Sequence, residues 1–120
     1  MKWHDSIFVT DIETHPAEKL EGPDIHGVTI QWLISKDIGA PNFEMRYFTL
    51  EVGGYTPFHQ HPWEHESFVL KGTGVLHTEH GDIPLEPGKA LFIPPMIKHQ
   101  FRNTGKEELH FICVIPKRLD

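Results

Sequence analysis

Residues 53–72 read G-G-Y-T-P-F-H-Q-H-P-W-E-H-E-S-F-V-L-K-G, and this stretch decides the fold. It opens on a glycine pair, closes on Gly72, and carries histidines at positions 59, 61 and 65. On an extended chain alternate side chains share a face, so His59 and His61 point the same way. Two imidazoles so placed can share one metal ion; two ordinary surface histidines fit the pair equally well. Residues 61–65 also spell H-x-x-E-H, a metalloprotease pattern. That chemistry needs a helix to bring both histidines to one side, and Pro62 and the strand-like residues 67–70 oppose one.

Around this stretch the chain is cut into short pieces by Gly and Pro. Residues 28–34, 43–52, 67–71, 75–79, 90–93 and 109–115 are rich in β-branched and aromatic side chains, and most end at a Gly or Pro turn signal. Many short strands at regular spacing predict a β-sandwich or barrel. Helical pattern is poor; residues 18–21 could form one turn between Pro16 and Pro23. With 120 residues the chain has room for one core. Seventeen acidic against eleven basic residues give a net charge of −6, which argues against a nucleic-acid or anionic-membrane surface. No apolar run is long enough for a transmembrane helix. Residues 1–10 lack a basic-then-apolar signal pattern, so a cytoplasmic location is expected. One cysteine, Cys113, excludes an intrachain disulfide framework and a cysteine-only metal site.

The second informative stretch is G-K-A-L-F-I-P-P-M-I-K-H-Q-F-R-N, residues 88–103. A strand runs into a Pro-rich turn, and His99 follows at the start of the next strand. Together the two stretches resemble the paired motifs of the cupin superfamily. Gly53, His59, His61 and Gly72 fit the first, G-x5-H-x-H-x(3,4)-E-x6-G; Gly88, Pro94, His99 and Asn103 fit the second, G-x5-P-x-G-x2-H-x3-N. Met96 stands where the family usually has a turn glycine. The position of the family's ligand Glu has two candidates here, His65 and Glu66. Residue 65 satisfies the spacing both to His61 and to Gly72. Alternation then puts Ser67 and Val69 inward with it, and Glu66, Phe68 and Leu70 outward. The fourth ligand is therefore assigned to His65, with Glu66 the alternative.

The resemblance covers residues 39–116 and implies an all-β double-stranded β-helix, or jelly roll, with residues 1–38 as N-terminal strands and a dimer arm. The segment H-P-W-E-H-E followed by F-V-L-K-G resembles that of a subgroup of small single-domain manganese cupins with four histidine ligands. It thus implies a divalent metal held by His59, His61, His65 and His99, manganese first and iron second, with nickel or zinc admitted. Four neutral imidazoles leave the full dipositive charge on such an ion, and an octahedral one keeps two positions open. The implied activity is an oxidoreductase of dioxygenase type acting on a small organic molecule. The alternatives are a non-redox metalloenzyme (isomerase, lyase or decarboxylase) and a non-catalytic small-molecule binding module. Phe101, Phe111, Cys113 and Arg46 are candidate pocket residues, Arg46 for a substrate carboxylate. Trp63 is expected over the ligand turn and Asn103 as a turn-fixing residue. A homodimer is expected, with the outward Phe68 and Leu70 covered by the strand that carries Trp32, from the same chain or a partner.

Overall fold

The computed structural model describes residues 1–119. Eleven strands and one short 3₁₀ turn (Lys36–Ile38) make up its regular structure. They are β1 (Lys2–His4), β2 (Ile7–Val9), β3 (Glu18–Gly22), β4 (Ile25–Ile34), β5 (Phe43–Tyr55), β6 (His65–Lys71), β7 (Gly74–Thr78), β8 (Gly81–Leu85), β9 (Ala90–Ile93), β10 (His99–Arg102) and β11 (Leu109–Pro116). β1 and β2 form a separate hairpin. The rest form one antiparallel sheet ordered β8-β7-β10-β5-β11-β6-β9, with β4 also on β5 and β3 on β4. The thirteen-residue β5 holds the barrel together: it pairs with β4, with β11 and, at its far end through Tyr55, with Arg102 of β10. This is the expected all-β jelly roll.

Alternation builds the interior. On β6, His65, Ser67 and Val69 are buried while Phe68 and Leu70 are exposed; on β11, Leu109, Phe111, Cys113 and Ile115 are buried. Cross-strand register stacks these positions in rows. One row runs Trp32–Arg46–Cys113–Ser67–Leu91 across β4, β5, β11, β6 and β9. The next runs Ile30–Phe48–Phe111–Val69. Phe48, Phe111 and Phe101 stack face to face, with centroids 5.1 and 4.1 Å apart. Burying each such ring stabilises the fold by roughly 1.5–3 kcal/mol.

Two expectations change. Residues 18–21 form strand β3 rather than a helical turn, because Leu20 and its neighbours find a ready partner in β4. Trp32 points into the barrel above Arg46, and so it does not cover Phe68 and Leu70. One glycine of the first motif has a plain reason. Gly72 lies at φ +83°, and a Cβ there would run into the Glu108 carbonyl.

Candidate metal centre

Each histidine is placed by a different local device. His59 lies on an irregular segment rather than a continuous strand, and a two-hydrogen-bond bridge to His99 fixes it. The His59 N–H donates to the His99 carbonyl at 3.1 Å and the His99 N–H to the His59 carbonyl at 2.9 Å. Two residues on, the His61 carbonyl accepts the Met96 N–H at 2.6 Å, which ties the Pro-rich turn to the first motif. Met96 takes the left-handed conformation, φ 66°, at the position where a glycine is usual. His65 opens β6 opposite Ile93. His99 opens β10 opposite Thr78.

These devices bring the rings together. The Nε2 atoms of His59 and His61 are 3.2 Å apart. One ring nitrogen from each of His59, His61 and His99 falls within 4.8 Å of the other two. The His99 Nδ1–H donates to the Ile97 carbonyl at 2.8 Å, so its Nε2 carries a lone pair. His65 stands just outside this group, its ring 5.0 Å from His61 and 5.2 Å from His99. Its Nδ1 is 3.3 Å from Cys113 Sγ, and its Nε2 is buried without a partner. Arg46 Nη2 lies at the same distance, 3.3 Å, from that Nδ1, so the Nε2 is the ring atom left to meet an ion.

Electrostatics favour the neutral, ligating form throughout. Burial first, then the Arg46 charge and the other histidines, pushes His65 down to about 3. Burial and the charges on His59, His99 and Arg46 bring His61 to about 4. His59 and His99 are lowered as well, chiefly by burial. Three convergent imidazole nitrogens, with a fourth orphaned beside them, fit a borderline divalent cation. Glu66 lies on the outer face opposite Phe92 and Val114, away from the rings. Its carboxyl is raised by a hydrogen bond with Glu64.

The histidines line one side of a cavity of about 430 Å³. Arg46, Phe101, Phe111 and Cys113 all line it too. Cys113 is also 2.8 Å from Ser67 Oγ. Trp63 stacks on His61 at 4.7 Å with the planes 8° apart. Asn103 fixes a turn, its Nδ2 donating to the carbonyls of Leu50, Glu51 and Glu107.

Other lining residues are new. Leu20, Ile25 and Ile30 form an apolar wall, and Trp32 lies over Arg46. Glu18 is the one carboxylate on the lining. Glu44, fully buried, accepts from Arg118 Nε and Nη2 and from the Lys36 and Arg118 backbone N–H groups. Burial alone would raise this carboxyl, but the hydrogen bonds from Arg118 and Lys36 outweigh it and hold it at about 2. The inward parity that Glu44 shares with Arg46 was the signal that could have found it.

Comparison with known proteins agrees with this architecture. The Cupin domain family model matches residues 46–115. Auxin-binding protein 1 of Arabidopsis thaliana is 29% identical over 118 residues, which span 91% of this chain and 59% of that protein. The oxalate-binding protein of Thermotoga maritima is 33% identical over 73% of this chain and 74% of its own. A solved structure of the polyketide cyclase RemF from Streptomyces resistomycificus superposes with a TM-score of 0.87 at 31% identity. That match covers 93% of this chain and 80% of that one. With its fold, its two motifs and the family match in agreement, the chain belongs to the cupin family.

Proposed function

We propose that this chain is a metal-dependent enzyme that acts on a small, oxygen-bearing organic molecule inside the barrel. The observation that supports it most is the gathering of four imidazoles, all biased toward the neutral form, on one side of a largely apolar cavity. His59, His61, His65 and His99 would hold a divalent cation, manganese first and iron second. When bound, it supplies Lewis-acid polarisation of a substrate oxygen and, for manganese or iron, redox chemistry. The chain's own residues do the rest. Cys113 and Arg46 flank His65 Nδ1 and hold the ring in place. Leu20, Ile25 and Ile30 exclude water, and Phe48, Phe101 and Phe111 bind the substrate's apolar body.

Non-redox chemistry on an enolisable carbonyl compound is the first reading, supported by the likeness to a polyketide cyclase over most of both chains. The dioxygenase drawn from the sequence is the second. The four-histidine donor set supports it, since imidazole suits redox-active iron. Assay of protein refilled with manganese, iron or zinc on aromatic polyketones, with and without oxygen, separates the two. Turnover without oxygen is expected; strictly oxygen-dependent turnover lost with zinc would establish the dioxygenase. A ligand that raises the melting temperature without turnover would instead establish a binding module.

We also infer a homodimer working in the cytoplasm, where its one cysteine stays reduced. Phe68, Leu70 and Phe92 are 39, 45 and 62% exposed on one outer face, and a second copy would cover them. Sedimentation as a monomer at micromolar concentration would contradict this.

A further inference from the structure

Arg46 enters the barrel without a carboxylate paired to it among the described residues. It faces inward because it shares the parity of Glu44 and Phe48 on β5. Glu44, the nearest acid on that strand, has both oxygens taken by Arg118 and by backbone N–H groups. Among the described residues no carboxylate lies within ion-pair distance of Arg46. Its guanidinium carbon is 5.5 Å from the Trp32 ring centre and 5.0 Å from that of Phe48. Nη2 lies 3.3 Å from His65 Nδ1, and Nε is buried with no acceptor at all. Cys113, opposite it on β11, is a thiol whose deprotonation burial opposes. Glu18, the one acid on the cavity lining, is exposed on β3.

Among the described residues the interior therefore sets two guanidiniums, of Arg46 and Arg118, and four imidazoles against the one buried carboxylate of Glu44, which Arg118 already holds, and a divalent ion would add to the excess. A guanidinium taken from water without an anion is costly, and a ligand anion removes that cost.

We propose that Arg46 binds the carboxylate of the substrate, and that the substrate is a flat, largely apolar carboxylate. This rests on the proposed metal-dependent function only in sharing its cavity. A planar guanidinium fork matches a planar carboxylate, whereas a point-charge ammonium does not. Trp32 and Phe48 flank Arg46, and Phe48, Phe111 and Phe101, stacked face to face, give the cavity a planar apolar wall on which a flat ring can lie. The cavity, about 430 Å³, has room for a ring system and excludes large polymers. Arg46 also lines a second cavity, formed with Trp63 and residues 115–119.

The test uses salicylate and its neutral isostere salicylamide, titrated by calorimetry into the full-length protein with metal content measured on the same samples. Wild type is expected to bind salicylate at least about tenfold more tightly than salicylamide, as one charge-assisted pair provides. Arg46→Gln should reduce that preference below about twofold, and Arg46→Lys should retain part of it. Circular dichroism checks that both variants fold; if Arg46→Gln does not, Arg46→Lys carries the comparison alone. Equal binding of the two probes by wild type, or an undiminished preference in a folded variant, would overturn the proposal. Protein that takes up no divalent metal yet still discriminates through Arg46 would refute the metal reading and leave this one standing. Metal-loaded protein without discrimination would do the reverse.

Discussion

His65 and Glu66 are neighbours in the chain and face opposite worlds. The imidazole is 4% exposed, with a bare Nε2 beside three other histidines, while the carboxylate lies outside among Phe92 and Val114. Replacing His65 with alanine should weaken manganese binding by at least the ~10–100-fold that losing a mere supporting partner costs. Glu66→Gln should leave affinity unchanged within about twofold, since no route connects it to the rings. Competition with a chelating dye measures both; the reverse ranking would show that the strand is read in the wrong frame. This frame was legible in the sequence because the spacing to Gly72 sets the register of residue 65, from which the faces of residues 66–70 follow. The tautomer of His99 was not legible, since it depends on a carbonyl placed by a turn.

At the scale of elements, the C-terminal segment after β11 is fastened across the site's edge by one buried carboxylate. Glu44 meets Arg118 at 2.8 Å, and their 74-residue separation leaves no periodic trace in the sequence. Its carboxyl is held at about 2 against an ordinary 4.5, so the folded form binds fewer protons than the unfolded one between these values. The pair therefore stabilises above pH 4.5 and its contribution is lost as pH falls toward 2. Glu44→Gln should cost about 2–3 kcal/mol at pH 7 and flatten the acid limb of a urea-denaturation series. A loss under ~0.5 kcal/mol would show the pair to be incidental. Strands with clear alternation, such as β4 and β11, were legible. β3 was not: E-K-L-E-G is polar, and only its pairing with β4 makes it a strand. Trp32 was read as a cover for the outer face because its strand was identified but its partner, β5, was not.

The whole molecule encloses several imidazoles whose neutral forms are favoured by burial and by Arg46. His61 and His65 sit at about 4 and about 3, against 6.5 when exposed. Unfolding lets them take up protons, so the stability of metal-free protein should fall as pH drops from 6.5 toward those values. Each such histidine adds a slope of up to about 1.4 kcal/mol per pH unit. Urea unfolding of chelator-treated protein at pH 7 and pH 5 checks this. A drop of roughly 1–3 kcal/mol is expected, in a window above the titration of Glu44. Equal stability at both pH values would mean that the rings are hydrated and the cavity is not dry.

The most direct measurement is X-ray absorption at the edge of manganese loaded into the purified protein at one equivalent. Four imidazole nitrogens in the first shell are predicted, with two further light-atom positions that change when a carboxylate ligand is added. Three or fewer imidazoles, or four in a closed shell indifferent to ligand, would contradict the account.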